Sequence, residues 1–242
     1  MNADPKEMVL WSDDSLLVIN KPAGLLTLPD GYQPDAPHLR SVLQPVYGRL
    51  WIVHRLDKET SGVVALARSA EAHRALNTQF QQREASKIYH ALVSGVPDWE
   101  EKEVDAPLLP NGDRRHRTIV DPQRGKQAVT HFHVLERFSQ RITLLEAAPK
   151  TGRPHQIRAH LAYLGYPILA DGLYGGLTVG GPAGLGNLAY PAIALSRLGL
   201  HAWSLEIEHP TTGENLCFVA PYPADFDQAL DRLRNFFNLR AQ

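Results

Sequence analysis

The sequence predicts an α+β fold with a mixed, largely antiparallel sheet. Two observations lead there: runs with strand character outnumber amphipathic helical patterns, and most neighbouring strands are joined by short, turn-rich connections. A third, the lack of any internal repeat or linker-like stretch, predicts a single domain over residues 1–242, with a core at about 9–221 and a C-terminal helix at about 225–239.

The elements follow in order. Met8–Trp11 and Leu16–Asn20 read as strands joined by the turn Ser12-Asp13-Asp14-Ser15. Pro22 and Gly24 end the second, and four Pro or Gly residues make 27–40 a loop. Leu50–His54 and Val63–Ala67 are short apolar runs of buried-strand type. Ser69 is an N-cap, Glu71 suits a first turn, and Ala72, Ala75, Leu76 and Phe80 share a helical face. Lys87–Val93 is a strand with Tyr89, Ala91 and Val93 on one face and Ile88, His90 and Leu92 on the other. Residues 97–116 read as irregular, with a solvated acidic stretch from Asp98 to Asp105. Gln127–Phe138 and Gln140–Ala148 form a hairpin turning at Ser139. Pro154 opens a helix at its first position, Ile157, Leu161 and Leu164 are its core stripe, and Gly165 ends it. His201–Ile207 and Leu216–Ala220 flank the turn-rich His209–Glu214 segment. Asp225–Leu239 is an amphipathic helix with Phe226, Leu230, Leu233 and Phe237 on one face.

Composition narrows the function classes. With 43% hydrophobic and 21% charged residues, the chain is no disordered tail. The single cysteine, Cys217, excludes an intrachain disulfide and any Cys-based metal cluster. The polar, acidic start is unlike a signal peptide, and no run reaches the length of a membrane span, so a soluble cytoplasmic protein is expected. A net charge of −1 argues at first against nucleic acid. The charges are unevenly spread, however. Residues 110–126 carry a net +3, residues 147–170 another +3, and residues 98–105 carry −4. A neutral total can hide a basic cleft.

Three segments concentrate chemistry. His54-Arg55-Leu56-Asp57-Lys58-Glu59-Thr60-Ser61-Gly62 lies between two apolar strands, where a rigid scaffold places reactive groups. Asp57 there is a nucleophile, a general base, an anchor for a cation, or simply a carboxylate capping its own turn. Lys150–His160 is a cation-rich helix start suited to phosphate, with Lys150 and Arg153 before the helix and Arg158 at the edge of the apolar stripe, able to reach a buried carboxylate. The alternative is a solvated basic face. Lys87-Ile88-Tyr89-His90-Ala91 offers Tyr89 either as core or as a platform for a flat ligand. Two further patterns carry little. Gly184-Leu185-Gly186-Asn187-Leu188-Ala189 matches G-x-G-x-x-A without a preceding strand, and His131-x-His133 has no third metal ligand nearby.

Taken together, the segments resemble the RluA-type pseudouridine synthases. The resemblance rests on His54-Arg55-Leu56-Asp57 with Thr60-Ser61-Gly62, on Asn20-Lys21-Pro22-Ala23-Gly24, on Lys87–Ala91, on Gly152–His160 running on to Pro167–Asp171, and on His209-Pro210 with Gly213. It spans roughly Val9 to Pro221, and ordered motifs are more specific than any one alone. It implies a pseudouridine synthase fold with flanking helices and a central RNA-binding cleft. It also implies isomerisation of uridine in structured RNA, tRNA or rRNA: the base is flipped, the N-glycosidic bond breaks, uracil turns, and C5 bonds to C1′. Asp57 would be the catalytic carboxylate and Arg158 its salt-bridge partner. Tyr89 would stack on the uracil, its hydroxyl the family's candidate for removing the C5 proton. Arg55 would fill the vacated place in the stack, and Ile168 or Leu169 would pack under the base. Lys150 and Arg153 are expected to bind substrate, and Lys21 to be structural. No metal, cofactor, membrane or obligate protein partner is implied, and a monomer is expected. Some relatives carry an N-terminal S4 domain, which is not expected here because the motifs begin near Val9. The Gly-rich loop at 172–188 has no assigned role. Two other classes compete: a glycosidase or nucleosidase pairing Asp57 with Glu59 on an extended segment, and a non-catalytic RNA-binding protein.

Overall fold

A computed structural model describes residues 4–138, 141–175 and 195–238. In chain order the elements are β1 (Val9–Ser12), β2 (Leu16–Lys21), α1 (Leu39–Tyr47), β3 (Trp51–Ile52), β4 (Ser61–Ala67), α2 (Ala70–Gln82), β5 (Ser86–Ser94), β6 (Glu101–Asp105), β7 (Leu108–Leu109), β8 (Ile119–Val120), β9 (Val129–Phe138), β10 (Ile142–Pro149), α3 (Gln156–Tyr163), β11 (Leu200–Glu208), β12 (Asn215–Val219) and α4 (Ala224–Asn238). The sheet is mixed and the class α+β, as predicted. The chain divides into two compact units, Met1–Lys87 with His201–Pro221, and Ile88–Leu200 with Tyr222–Gln242. Among the described residues no helix is long and apolar enough to cross a membrane.

In the first unit β1, β2 and β4 are antiparallel neighbours, β3 also lies along β4, and β11 joins β4 in parallel through His201↔Ser61 and Ala202↔Gly62. Every residue of β4 is buried, which explains its unbroken apolar run. The β1–β2 turn is held by Asp13, whose carboxylate accepts the N–H groups of Ser15 and Leu16 and pairs with His209 at 3.0 Å. Helix α2 starts as predicted, with Ser69 Oγ accepting the Ala72 N–H at 3.0 Å. Its buried face includes Gln79, whose amide donates to the Glu208 carbonyl and accepts the Glu208 N–H, extending the edge of β11 as a strand would. Helix α1 was not anticipated. His38 and Ser41 form a reciprocal capping box, and buried Leu39 and Leu43 anchor the helix despite Pro45.

The second unit is built on the antiparallel array β5–β10–β9–β6. Strand β5 alternates as the sequence indicated. Ala91 and Val93, with Tyr89 beside them, join a core with Phe132, Val134, Leu145, Ile157, Leu161 and Ile168. On the other face Leu92 joins Ile142, Leu144, Phe226, Leu230 and Leu233. Strand β9 serves both faces because its register shifts: Val134 opposes Leu145, yet Glu136 opposes Leu144. This bulge at Leu135 reverses the alternation, so Phe132 and Phe138, both even-numbered, enter different cores. The acidic stretch is not wholly irregular. Glu101–Asp105 is an edge strand, its charges deterring further pairing. The short hairpin of β7 and β8 was also unforeseen. The hairpin residues Ser139 and Gln140 lie outside the described residues, as does the Phe237 side chain.

Helix α3 begins two residues later than Pro154 suggests. His155 is its N-cap and takes a left-handed conformation (φ +53°), which breaks any helix through Pro154. The Gln156 side chain reaches back instead, its Oε1 accepting the Arg153 N–H at 3.0 Å. Gly165 (φ +84°) follows the helix, as predicted.

Candidate active site

In the first unit the backbone around Asp57 is fixed from several directions. Leu56 is buried and clamped by Thr27, whose hydroxyl donates to the Leu56 carbonyl at 2.9 Å and accepts its N–H at 3.2 Å. The Asp57 carbonyl accepts the Thr60 N–H at 3.1 Å, closing a turn. The Lys58 carbonyl accepts from the Gly24 N–H at 2.8 Å and from Lys21 Nζ at 3.1 Å. Lys21, fully buried, also donates to the carbonyls of Pro22 and Leu25, which agrees with the structural role expected for it. After the turn, Ser61 Oγ lies 2.9 Å from His201 Nδ1. Because His201 Nε2 lies 3.0 Å from the Ala220 carbonyl, Nε2 carries the proton and Nδ1 accepts from the serine. Asp57 itself is half-buried and Arg55 is exposed. The turn removes the premise of an Asp57–Glu59 pair, since the segment is not extended there.

His54 is a structural histidine within this motif. Its Nε2 accepts the Ala65 N–H at 2.9 Å and its ring stacks on Phe80 at 4.5 Å. Loss of solvation, aided by the Lys87 charge, pushes its pKa down to about 3. A neutral folded imidazole against an unfolded value of 6.5 means the unfolded chain binds the extra proton between pH 6.5 and about 3. Stability from this group is therefore complete above about pH 6.5 and falls on acidification. Urea unfolding at pH 5 should show a loss of about 2 kcal/mol relative to pH 7, and His54→Gln should flatten that slope. An unchanged slope in His54→Gln would assign the acid sensitivity to other groups.

In the second unit Tyr89 stands on β5 opposite Ala147, packed against the core that buries Ile168 completely. Arg158 makes a bidentate ion pair with Asp171, Nε to Oδ2 at 2.8 Å and Nη2 to Oδ1 at 2.9 Å. The sequence pattern anticipated a buried carboxylate for Arg158, and the resemblance named Asp57; the structure adds Asp171, to which no role had been given. The guanidinium also lies over the Tyr174 ring at 5.1 Å. Lys150 is exposed, whereas Arg153 is half-buried and donates through Nε to the Gln127 carbonyl at 3.0 Å.

The segment leading into α3 is held by a directional chain of buried polar groups that the sequence did not reveal. His160 Nε2 donates to the Ala106 carbonyl and its Nδ1 accepts from Thr130 Oγ1. Thr130 Oγ1 accepts from Gln156 Nε2, and Gln156 Oε1 accepts from Thr151 Oγ1. Thr151 Oγ1 in turn accepts the Val129 N–H. Burial lowers the His160 pKa, in keeping with a neutral ring in this chain.

The charge distribution is sharpened by pairing. Within 110–126, Arg117 pairs with Asp113 and Arg124 with Asp121, while Arg114 is exposed at the tip between β7 and β8. His131 and His133 face Glu103 and Glu101 across the β6–β9 edge, at 2.7 and 3.5 Å. Residues 184–189, with most of the Gly-rich loop, lie outside the described residues.

Residues 15–163 match the RNA pseudouridylate synthase family. Ribosomal large subunit pseudouridine synthase D of Pseudomonas aeruginosa is 39% identical over 232 residues, covering 93% of this chain and 71% of that one. The dual-specificity RNA pseudouridine synthase RluA of Pasteurella multocida is 40% identical over 220 residues, covering 90% and 94%. Among solved structures, human RNA pseudouridylate synthase domain containing 4 is similar with a TM-score of 0.72 at 28% identity, over 95% of each chain.

Proposed function

Because the chain belongs to the RNA pseudouridylate synthase family, RNA enzymes that isomerise uridine to pseudouridine, we propose that its target is a uridine in a tRNA or rRNA stem-loop. The observation that carries the reading is that Asp57, Tyr89 and Arg158 each stand on their own family motif within the matched span 15–163. Asp57 is the carboxylate that acts when the bond between N1 and C1′ breaks, as carboxylates do where positive charge develops on a sugar. Tyr89 stacks on the uracil, Arg158 orients the carboxylate, and Arg55, exposed beside Asp57, takes the place of the flipped base. Ile168, fully buried, packs beneath the base site. Lys150 and Arg153 contact phosphate. The enzyme works in the cytoplasm as a monomer, with no cofactor and no obligate protein partner. Mapping pseudouridines in rRNA and tRNA from a strain lacking the gene tests the target. One or a few sites should revert to uridine, and an unchanged map would overturn the proposal.

The RNA contact is made by shape and by a few phosphates. The slope of log Kd against log salt should be shallow, and Arg114→Ala and Lys150→Ala should each reduce it by about one with turnover at saturating RNA unchanged. Filter binding across salt concentrations measures this. Slopes equal to the wild type would place the phosphate contacts elsewhere.

A further inference from the structure

The structure assigns a positioning role to Asp171 and Tyr174: we propose that they aim the Arg158 guanidinium, and that the reaction rate depends on them through that arginine. The inference rests on the reading that Arg158 acts at the reacting centre. Asp171 is suited to hold an arginine still, because it is itself held. Its side chain is 1% exposed, and its Oδ1 accepts the backbone N–H groups of Leu173 and Tyr174, both at 3.1 Å, in addition to Arg158 Nη2. The carboxylate is therefore fixed by its own turn, independently of the arginine.

The fork occupies one edge of the guanidinium, Nε and Nη2. Since the group is planar, fixing that edge also fixes where Nη1 points. Tyr174 restricts the remaining freedom, rotation of the plane. Its ring lies 5.1 Å from the guanidinium carbon, and its hydroxyl accepts the Thr118 N–H at 2.9 Å and donates to the Thr118 carbonyl at 3.0 Å. A carboxylate on one edge and an aromatic face across the plane define both the direction and the tilt of the cation. A lysine offers neither constraint, which gives a reason for arginine here beyond its charge.

A buried ion pair can also serve stability alone. A double-mutant cycle on single-turnover pseudouridine formation separates the two roles. Arg158→Lys should slow the step by about a hundredfold with RNA affinity kept, and Asp171→Asn should slow it comparably. The double variant should be no slower than Arg158→Lys, because Asp171 acts only through the arginine. Wild-type rate in Arg158→Lys would overturn the reading of Arg158, and this proposal with it. A slow Arg158→Lys beside a wild-type Asp171→Asn, or losses that multiply in the double variant, would overturn the positioning role alone. Should Asp171→Asn fail to fold, Tyr174→Leu carries the same expectation at about tenfold, and a wild-type rate there overturns the proposal.

Discussion

Asp57→Asn should abolish turnover while leaving the fold intact. With RNA tritiated at uridine C5, wild-type enzyme releases tritium as pseudouridine forms, and the variant should release it on the order of a thousandfold more slowly or not at all. The substitution is nearly isosteric, but it removes the negative charge and replaces one carboxylate oxygen by an amide nitrogen, leaving neither a nucleophile nor an electrostatic stabiliser. The turn should survive, because it is held through backbone: the Asp57 carbonyl accepts the Thr60 N–H, and the Lys58 carbonyl accepts from Gly24 and Lys21. The urea midpoint and the RNA affinity should accordingly stay near wild type. Full activity in Asp57→Asn would remove this residue from the reaction. Release of free uracil by the wild type would show hydrolysis in place of isomerisation, the outcome a nucleosidase predicts.

What the sequence made legible, and what it hid, follow from the range of the interactions involved. Strand β4 was readable because all of its residues are buried, which leaves an unbroken apolar run. Helix α2 was readable from its cap and stripe, both local. Helix α1 was not, since its cap begins at a histidine and Pro45 looks like a breaker. The bulge at Leu135 was invisible because Val134, Leu135 and Glu136 fit an uninterrupted strand equally well; only pairing with β10 exposes the extra residue. The His54–Gly62 segment was legible as a cluster, because its chemistry-bearing groups are neighbours in sequence. The Arg158–Asp171 pair spans 13 residues and a helix end, and nothing local couples the two. Gln79 and Gln156 were missed for a related reason. Glutamine is ordinarily a surface residue, and burial here depends on partners far along the chain: Glu208 for Gln79, and Thr130 for the Gln156 amide nitrogen, whose oxygen meets the nearby Thr151 and Arg153.

Lys21 makes the second large prediction. It is fully buried, and its ammonium donates to the carbonyls of Pro22 at 2.9 Å, Leu25 at 2.8 Å and Lys58 at 3.1 Å. It therefore ties the turn that ends β2 to the turn that carries Asp57. Lys21→Met keeps the length of the stem and much of its packing, and it removes the cost of burying a charge. Against that stand carbonyls deprived of a donor. The Lys58 carbonyl retains the Gly24 N–H, so the loss falls on Pro22 and Leu25, at about 1–3 kcal/mol for each buried acceptor left unmet. The acceptors should win, with a net loss of about 3 kcal/mol in urea unfolding and an unchanged m-value. Because the Lys58 end of the Asp57 turn also loses a tie, turnover measured below the variant's melting range should fall more than RNA affinity does. A stability within about 0.5 kcal/mol of the wild type would mean that water or a small chain movement satisfies the carbonyls, and that the lysine does not hold this loop.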